Sequence, residues 1–150
     1  MLNGASDRGQ RIFLIKCVIY CKFKEGDVNP TIRTIFHESG MSHFKPQECG
    51  ALFLDVIQDP MIEIKSKTEP FTTGNVFNLD LDILISINPS YEKRFIDFVN
   101  KRMEVVIDSL RMSPVELRKM QTIQAESNMV TKLRNLIMLL RYDPIPHFTY

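Results

Sequence analysis

The chain is 150 residues long, 44% hydrophobic and 25% charged. That is the size and composition of one folded domain, which excludes collagen-like, low-complexity and wholly disordered chains. Its 19 Lys and Arg against 18 Asp and Glu leave a net charge of +1, too little to hold nucleic acid by bulk electrostatics.

Residues 1–10 contain Gly4, Ser6, Asp7 and Gly9 with little apolar content and are expected to form a flexible leader. In residues 11–24 the odd positions Phe13, Ile15, Cys17, Ile19, Cys21 and Phe23 are apolar, while Lys16, Lys22 and Lys24 fall on even ones. Such alternation, in a run rich in β-branched and aromatic residues, predicts a strand buried on one face. The same run is too short to span a bilayer, and no small-residue cleavage site follows it.

Asn29-Pro30 and Gly40 bracket a predicted short helix over 31–38, and Pro46 with Glu48 starts another over 46–58, ahead of Pro60. Two further strands are expected, at 61–67 and 76–87. In the latter, Phe77, Leu79, Leu81, Ile83, Ile85 and Ile87 alternate with Asn78, Asp80, Asp82 and Ser86. The link between them, with Pro70 and Gly74, reads as a hairpin loop. Ser90 can cap a helix over 91–112, and Ser113-Pro114-Val115-Glu116 is a capping box that opens a second long helix over 114–141. Pro144 and Pro146 then hold residues 144–150 as an extended tail. The predicted fold is therefore α+β: a single domain over 11–143 with a small, largely antiparallel three-stranded sheet, two short helices and two long C-terminal helices.

Several constellations bear on chemistry. Cys17 and Cys21 with His37 and His43 loosely match a two-Cys, two-His zinc pattern. The pairs lie fifteen residues apart where about twelve is usual, and both cysteines sit in an apolar run, so buried small hydrophobes are the preferred reading. Cys49 with His37 or His43 would supply a nucleophile and a base, but no third orienting group accompanies them. Asp80 and Asp82 share one strand face and could serve a cation or acid–base chemistry, but a solvated strand edge is the preferred reading. The six glycines are scattered singly, without a phosphate-binding loop. Neither a cofactor nor a metal is expected, and an enzyme using the Cys/His or paired-Asp groups is the lesser reading.

The order of two short helices, strand, loop and strand is that of a winged helix. The helix that would enter a DNA groove carries Glu48, Asp55 and Asp59 between positions 46 and 59 without Lys or Arg. Those charges oppose phosphate binding. A nucleic-acid-binding domain is therefore an alternative, and protein contact is preferred.

The long helices carry that preference. Phe95, Ile96, Val99, Met103, Val106, Ile107 and Leu110 form a wide apolar stripe for the core. Beside it Tyr91, Phe98, Val105 and Met112 recur every seven residues, a seam fit for another helix of this chain or of a partner. The run 136–140 is apolar all round, and Leu136, Met138 and Leu139 offer a second contact line, with Arg118, Lys119, Lys132 and Arg134 as a basic rim. The expectation is a protein interaction module, a subunit or adaptor of a complex, meeting a protein partner or a second copy of itself. Three cysteines are an odd count for a disulfide framework and point to a reducing, cytoplasmic or nuclear address.

Overall fold

The computed structural model describes residues 4–26, 30–65, 79–108 and 112–142, with side chains from Arg8 to Arg141. Six α-helices and a two-stranded sheet make up the described chain. They are α1 (Gly4–Lys24), α2 (Ile32–Glu38), α3 (Pro46–Val56), β1 (Ile62–Ile64), β2 (Ile85–Ile87), α4 (Glu92–Asp108), α5 (Pro114–Ala125) and α6 (Met129–Tyr142). A single 3-10 turn, Pro89–Tyr91, leads into α4.

The expected first strand, 11–24, is a helix, and the helix reaches back to Gly4 through the segment read as a leader. Every residue from 13 to 21 is buried. A segment enclosed on all sides has no polar face to impose a period, and Leu14, Val18 and Tyr20 are as apolar as their odd-numbered neighbours. The apparent alternation rested on Lys16 and Lys22. A helix suits such a position because it satisfies its own backbone groups and can be packed on every side. α1 packs most extensively on α6, then on α3, β2 and α2. It ends at Gly26, whose φ of 84° no other residue type adopts as freely.

Gly40 and Pro46 mark helix ends as expected, but the cap of α2 is Thr31; Pro30 precedes the helix, and Asn29 lies outside the described residues. Thr31 caps α2 by accepting from the Thr34 N–H at 3.2 Å, and Gly40 ends it at φ 77°. Pro46 opens α3, with the Glu48 carboxylate accepting from the Lys45 N–H. α3 ends at Val56, two residues short of the expected 58.

Two strands replace the expected three. β1 and β2 pair antiparallel with Ile62 opposite Ile87 and Ile64 opposite Ile85. Within the described parts of the expected 61–67 and 76–87, strand covers three residues each; residues 66–78, with the hairpin loop, lie outside the described residues. Residues 79–82 form a turn instead of strand, in which Asp80 Oδ1 accepts from the Asp82 N–H at 3.0 Å. The neighbour of β2 on its other side is Thr31, bridged antiparallel to Leu84. Through this contact the first N–H groups of α2, at Ile32 and Arg33, donate to the carbonyls of Ile83 and Leu81. Donors that a helix leaves open at its start are thereby satisfied.

The long helices are shorter than expected. Asn88 Oδ1, not Ser90, caps the entry to the first, accepting from the Ser90 N–H, and α4 is regular to Asp108. The N-cap half of the box expected at Ser113 is present, Ser113 Oγ accepting from the Glu116 N–H, while the Glu116 carboxylate accepts from the Ser113 hydroxyl rather than from its N–H. The expected helix 114–141 is two helices. Glu126 turns extended, and Asn128 Oδ1 accepts from the Thr131 N–H at 3.0 Å, which starts α6 afresh. The break redirects the chain so that α6 lies along α1 while α5 packs on α4.

Candidate partner-binding face

α4 is amphipathic by construction. Phe95, Val99, Met103 and Val106 are buried, and Phe95 meets Phe13 and Tyr20 of α1 with ring centroids 6.4 and 5.4 Å apart. Rotating by 100° per residue, Phe98 and Val105 stack in one column at the edge of this buried face, and Tyr91, the last residue of the 3-10 turn, precedes them by one further step of seven. Val105 is 43% exposed, and Tyr91 and Phe98 are half-buried. Arg94 and Lys101, both exposed, come next around the helix, and then the exposed Asp97 and Glu104. The apolar column is thus bordered on its solvent side by a basic edge.

The column has a socket at its N-terminal end. Tyr91, Arg94, Phe95 and Phe98 surround a hollow of about 220 Å³ together with Asp59 and Met61. The Arg94 guanidinium lies over the Tyr91 ring, 5.8 Å from its centroid. The Phe98 ring stands 6.0 Å from that of Phe13, so one of its faces is fixed by the core. Met112, also half-buried, lies at a bend outside α4 and does not continue its column on that helix.

The second expected contact line separates differently. Leu136 and Leu139 are buried, packed in this chain's own core where α6 meets α1. Only Met138 of that run is exposed, at 52%. The basic rim divides as well. Arg118 and Lys119 are exposed on α5. Lys132 Nζ donates to Asn100 Oδ1 at 3.4 Å and ties α6 to α4. Arg134 bridges Glu25 at 2.7 Å and Glu38 at 3.3 Å, joining α6 to the ends of α1 and α2. Sequence spacing put these two cations on an outer rim; in the fold both are partly buried and tie α6 to neighbouring elements.

The groups weighed for chemistry are placed as follows. Cys17 and Cys21 are one turn apart on α1 and buried; burial raises both thiols, Cys21 to about 12. His37 and His43 are exposed. Among the described residues no three His, Cys, Asp or Glu side chains come together as a metal site would require. Cys49 is buried, with its thiol 4.0 Å from the Phe44 carbonyl, and burial raises its pKa. A thiol held protonated is a poor nucleophile. Asp80 shapes a turn, and Asp82 forms an exposed ion pair with Arg33 at 3.4 Å.

No helix among the described residues is long and apolar enough to cross a membrane. Compared with family models, curated proteins and solved structures, the chain matches none.

Proposed function

We propose that this chain is an interaction module, a subunit or adaptor of an intracellular complex, and that its α4 face receives a helix of a partner protein. The observation that carries this reading is the partly exposed pair Phe98 and Val105, seven residues apart on α4, which Tyr91 of the preceding 3-10 turn extends and which ends in a socket. A single apolar column of that spacing matches the contact line of a second helix. The socket is large enough for one aliphatic side chain of the partner. The exposed Arg94 and Lys101 beside the column select a partner helix with acidic residues on the overlying edge. Three free thiols suit a reducing compartment.

The test is site-specific photocrosslinking. A benzoylphenylalanine at position 105 should give a discrete adduct in the source cells, mapping by mass spectrometry to an amphipathic segment with an acidic edge. The same probe at the exposed Gln121 on α5 should not give it, and Arg94→Glu with Lys101→Glu should remove it. An adduct to a second copy of this chain, or one indifferent to position and charge, would overturn the reading.

A second reading has one observation in its favour. With α1 ahead of it, the order Thr31, α2, α3, β1, β2, in which β2 lies between Thr31 and β1, is the strand order of a winged helix. The outward side of α3 argues against nucleic acid within that frame. It carries Glu48 and Asp55, and Arg8 is committed there, donating to the Asp55 carboxylate and to the Ala51 carbonyl. Winged-helix connectivity here supports protein contact. Salt distinguishes the two: duplex binding that weakens steeply from 50 to 200 mM salt would favour the nucleic-acid reading.

A further inference from the structure

Helix α2, the residues that follow it, the start of α3 and Leu81 line an open hollow of about 380 Å³ that shares no residue with the α4 face. Its floor is apolar: Phe36, Met41 and Cys49 are buried, and Phe44 and Leu81 are half-buried. Its rim is polar, with Arg33, Thr34, His37 and Ser42. Among the described residues no carboxylate lines it. We propose that this hollow binds a small amphipathic carboxylate, its apolar body on Phe36, Met41, Phe44 and Cys49 and its charged group between Arg33 and His37.

Three features support that assignment. A closed apolar cavity of about 150 Å³ takes a benzene ring, so a hollow of this volume has room for roughly a dozen non-hydrogen atoms. An apolar floor with a few convergent polar groups is the ordinary composition of a small-molecule site. Among the described residues Asp82 is the carboxylate that reaches Arg33, at 3.4 Å with both side chains largely exposed. Such a pair is weak and exchangeable, so a ligand carboxylate resting on an apolar body can replace it. A cationic ligand meets Arg33 at the rim and no described lining carboxylate.

Decanoate is the probe, with decanol and decylamine as controls, read by two-dimensional amide NMR on the full chain. Decanoate should give saturable shifts confined to Arg33, Thr34, His37, Ser42, Phe44 and Cys49, with a sub-millimolar Kd. Decanol should bind at least fivefold more weakly and decylamine not at all. Bound decanoate should also slow alkylation of Cys49 by iodoacetamide. Arg33→Gln, an exposed position, should weaken decanoate about fivefold and leave decanol unchanged. Shifts that do not saturate, that spread over the surface, that decylamine reproduces, or that survive Arg33→Gln undiminished would each overturn the proposal.

Discussion

Lys16 Nζ lies 3.0 Å from Asp59 Oδ2, which fastens the middle of the enclosed helix α1 to the segment between α3 and β1. Lys16 is the one charge among the buried residues 13–21, and its side chain is 7% exposed against 17% for Asp59. Removing Asp59 takes from Lys16 its opposite charge at 3.0 Å. Asp59→Asn is predicted to destabilise the fold by about 3 kcal/mol. Lys16→Met fills the same space with apolar atoms and leaves Asp59 nearer water, so it should cost less. Urea unfolding of both variants measures the difference, and the reverse order would place the burden on Asp59.

A second fastening joins α1 to α4. Tyr20 Oη donates to Glu92 Oε1 at 2.9 Å, and Lys24 Nζ reaches the same oxygen at 2.9 Å. Tyr20→Phe should cost about 1.5 kcal/mol, the worth of a hydrogen bond to a charged group. The ammonium of Lys24 and the hydroxyl of Tyr20 hold the Glu92 carboxyl below its ordinary range against the opposing effect of burial. A depressed folded-state pKa contributes stability that is complete above the unfolded value of about 4.3 and is lost as pH falls through the folded one. Stability of the wild type should therefore fall below about pH 5 more steeply than that of Glu92→Gln. Chemical denaturation at pH 3.5 and pH 7 provides the comparison.

Gly26 and Gly40 both hold positive φ, at 84° and 77°, but in different surroundings. A Cβ at Gly26 meets nothing within 4 Å, whereas at Gly40 it would lie 2.8 Å from Arg141 Nε. Gly26→Ala is predicted to cost about 1 kcal/mol, the backbone preference alone. Gly40→Ala should cost more, because the Arg141 side chain must also move from its place beside the turn. Thermal melts of the two variants would show equal losses only if Arg141 is free to shift.

Much of this architecture was legible where chemistry is local. The N-cap at Ser113, Pro46 at the start of α3, Gly40 after α2 and the buried stripe of α4 depend on neighbours within a turn or two. Misreadings arose where the deciding contacts are distant. The segment 11–24 was read as a strand because enclosure on all sides, which only the tertiary fold supplies, removes the period that marks a helix. Thr31, too short a segment to announce itself as a strand, took the edge of the sheet. The break at 126–128 has an Asn cap that an otherwise helical run concealed.

The candidate face was legible by the same rule. Phe98 and Val105 are fixed by spacing along α4, with Tyr91 in the turn before it, and the structure leaves Val105 exposed and the two rings half-buried. Lys132 and Arg134 were assigned to a rim because their partners, Asn100, Glu25 and Glu38, lie 32 to 109 residues away. No pattern near α6 signals those contacts.

The central claim is that the α4 column is a docking line rather than an edge of the core. Fluorescence anisotropy measures it most directly, with the helix identified by crosslinking at position 105 made as a labelled peptide. Burying one valine contributes roughly 1.5 kcal/mol, so Val105→Asp should bind at least tenfold more weakly than wild type, with an unchanged melting temperature. Equal affinity for the two proteins, or a loss of binding accompanied by unfolding, would contradict it.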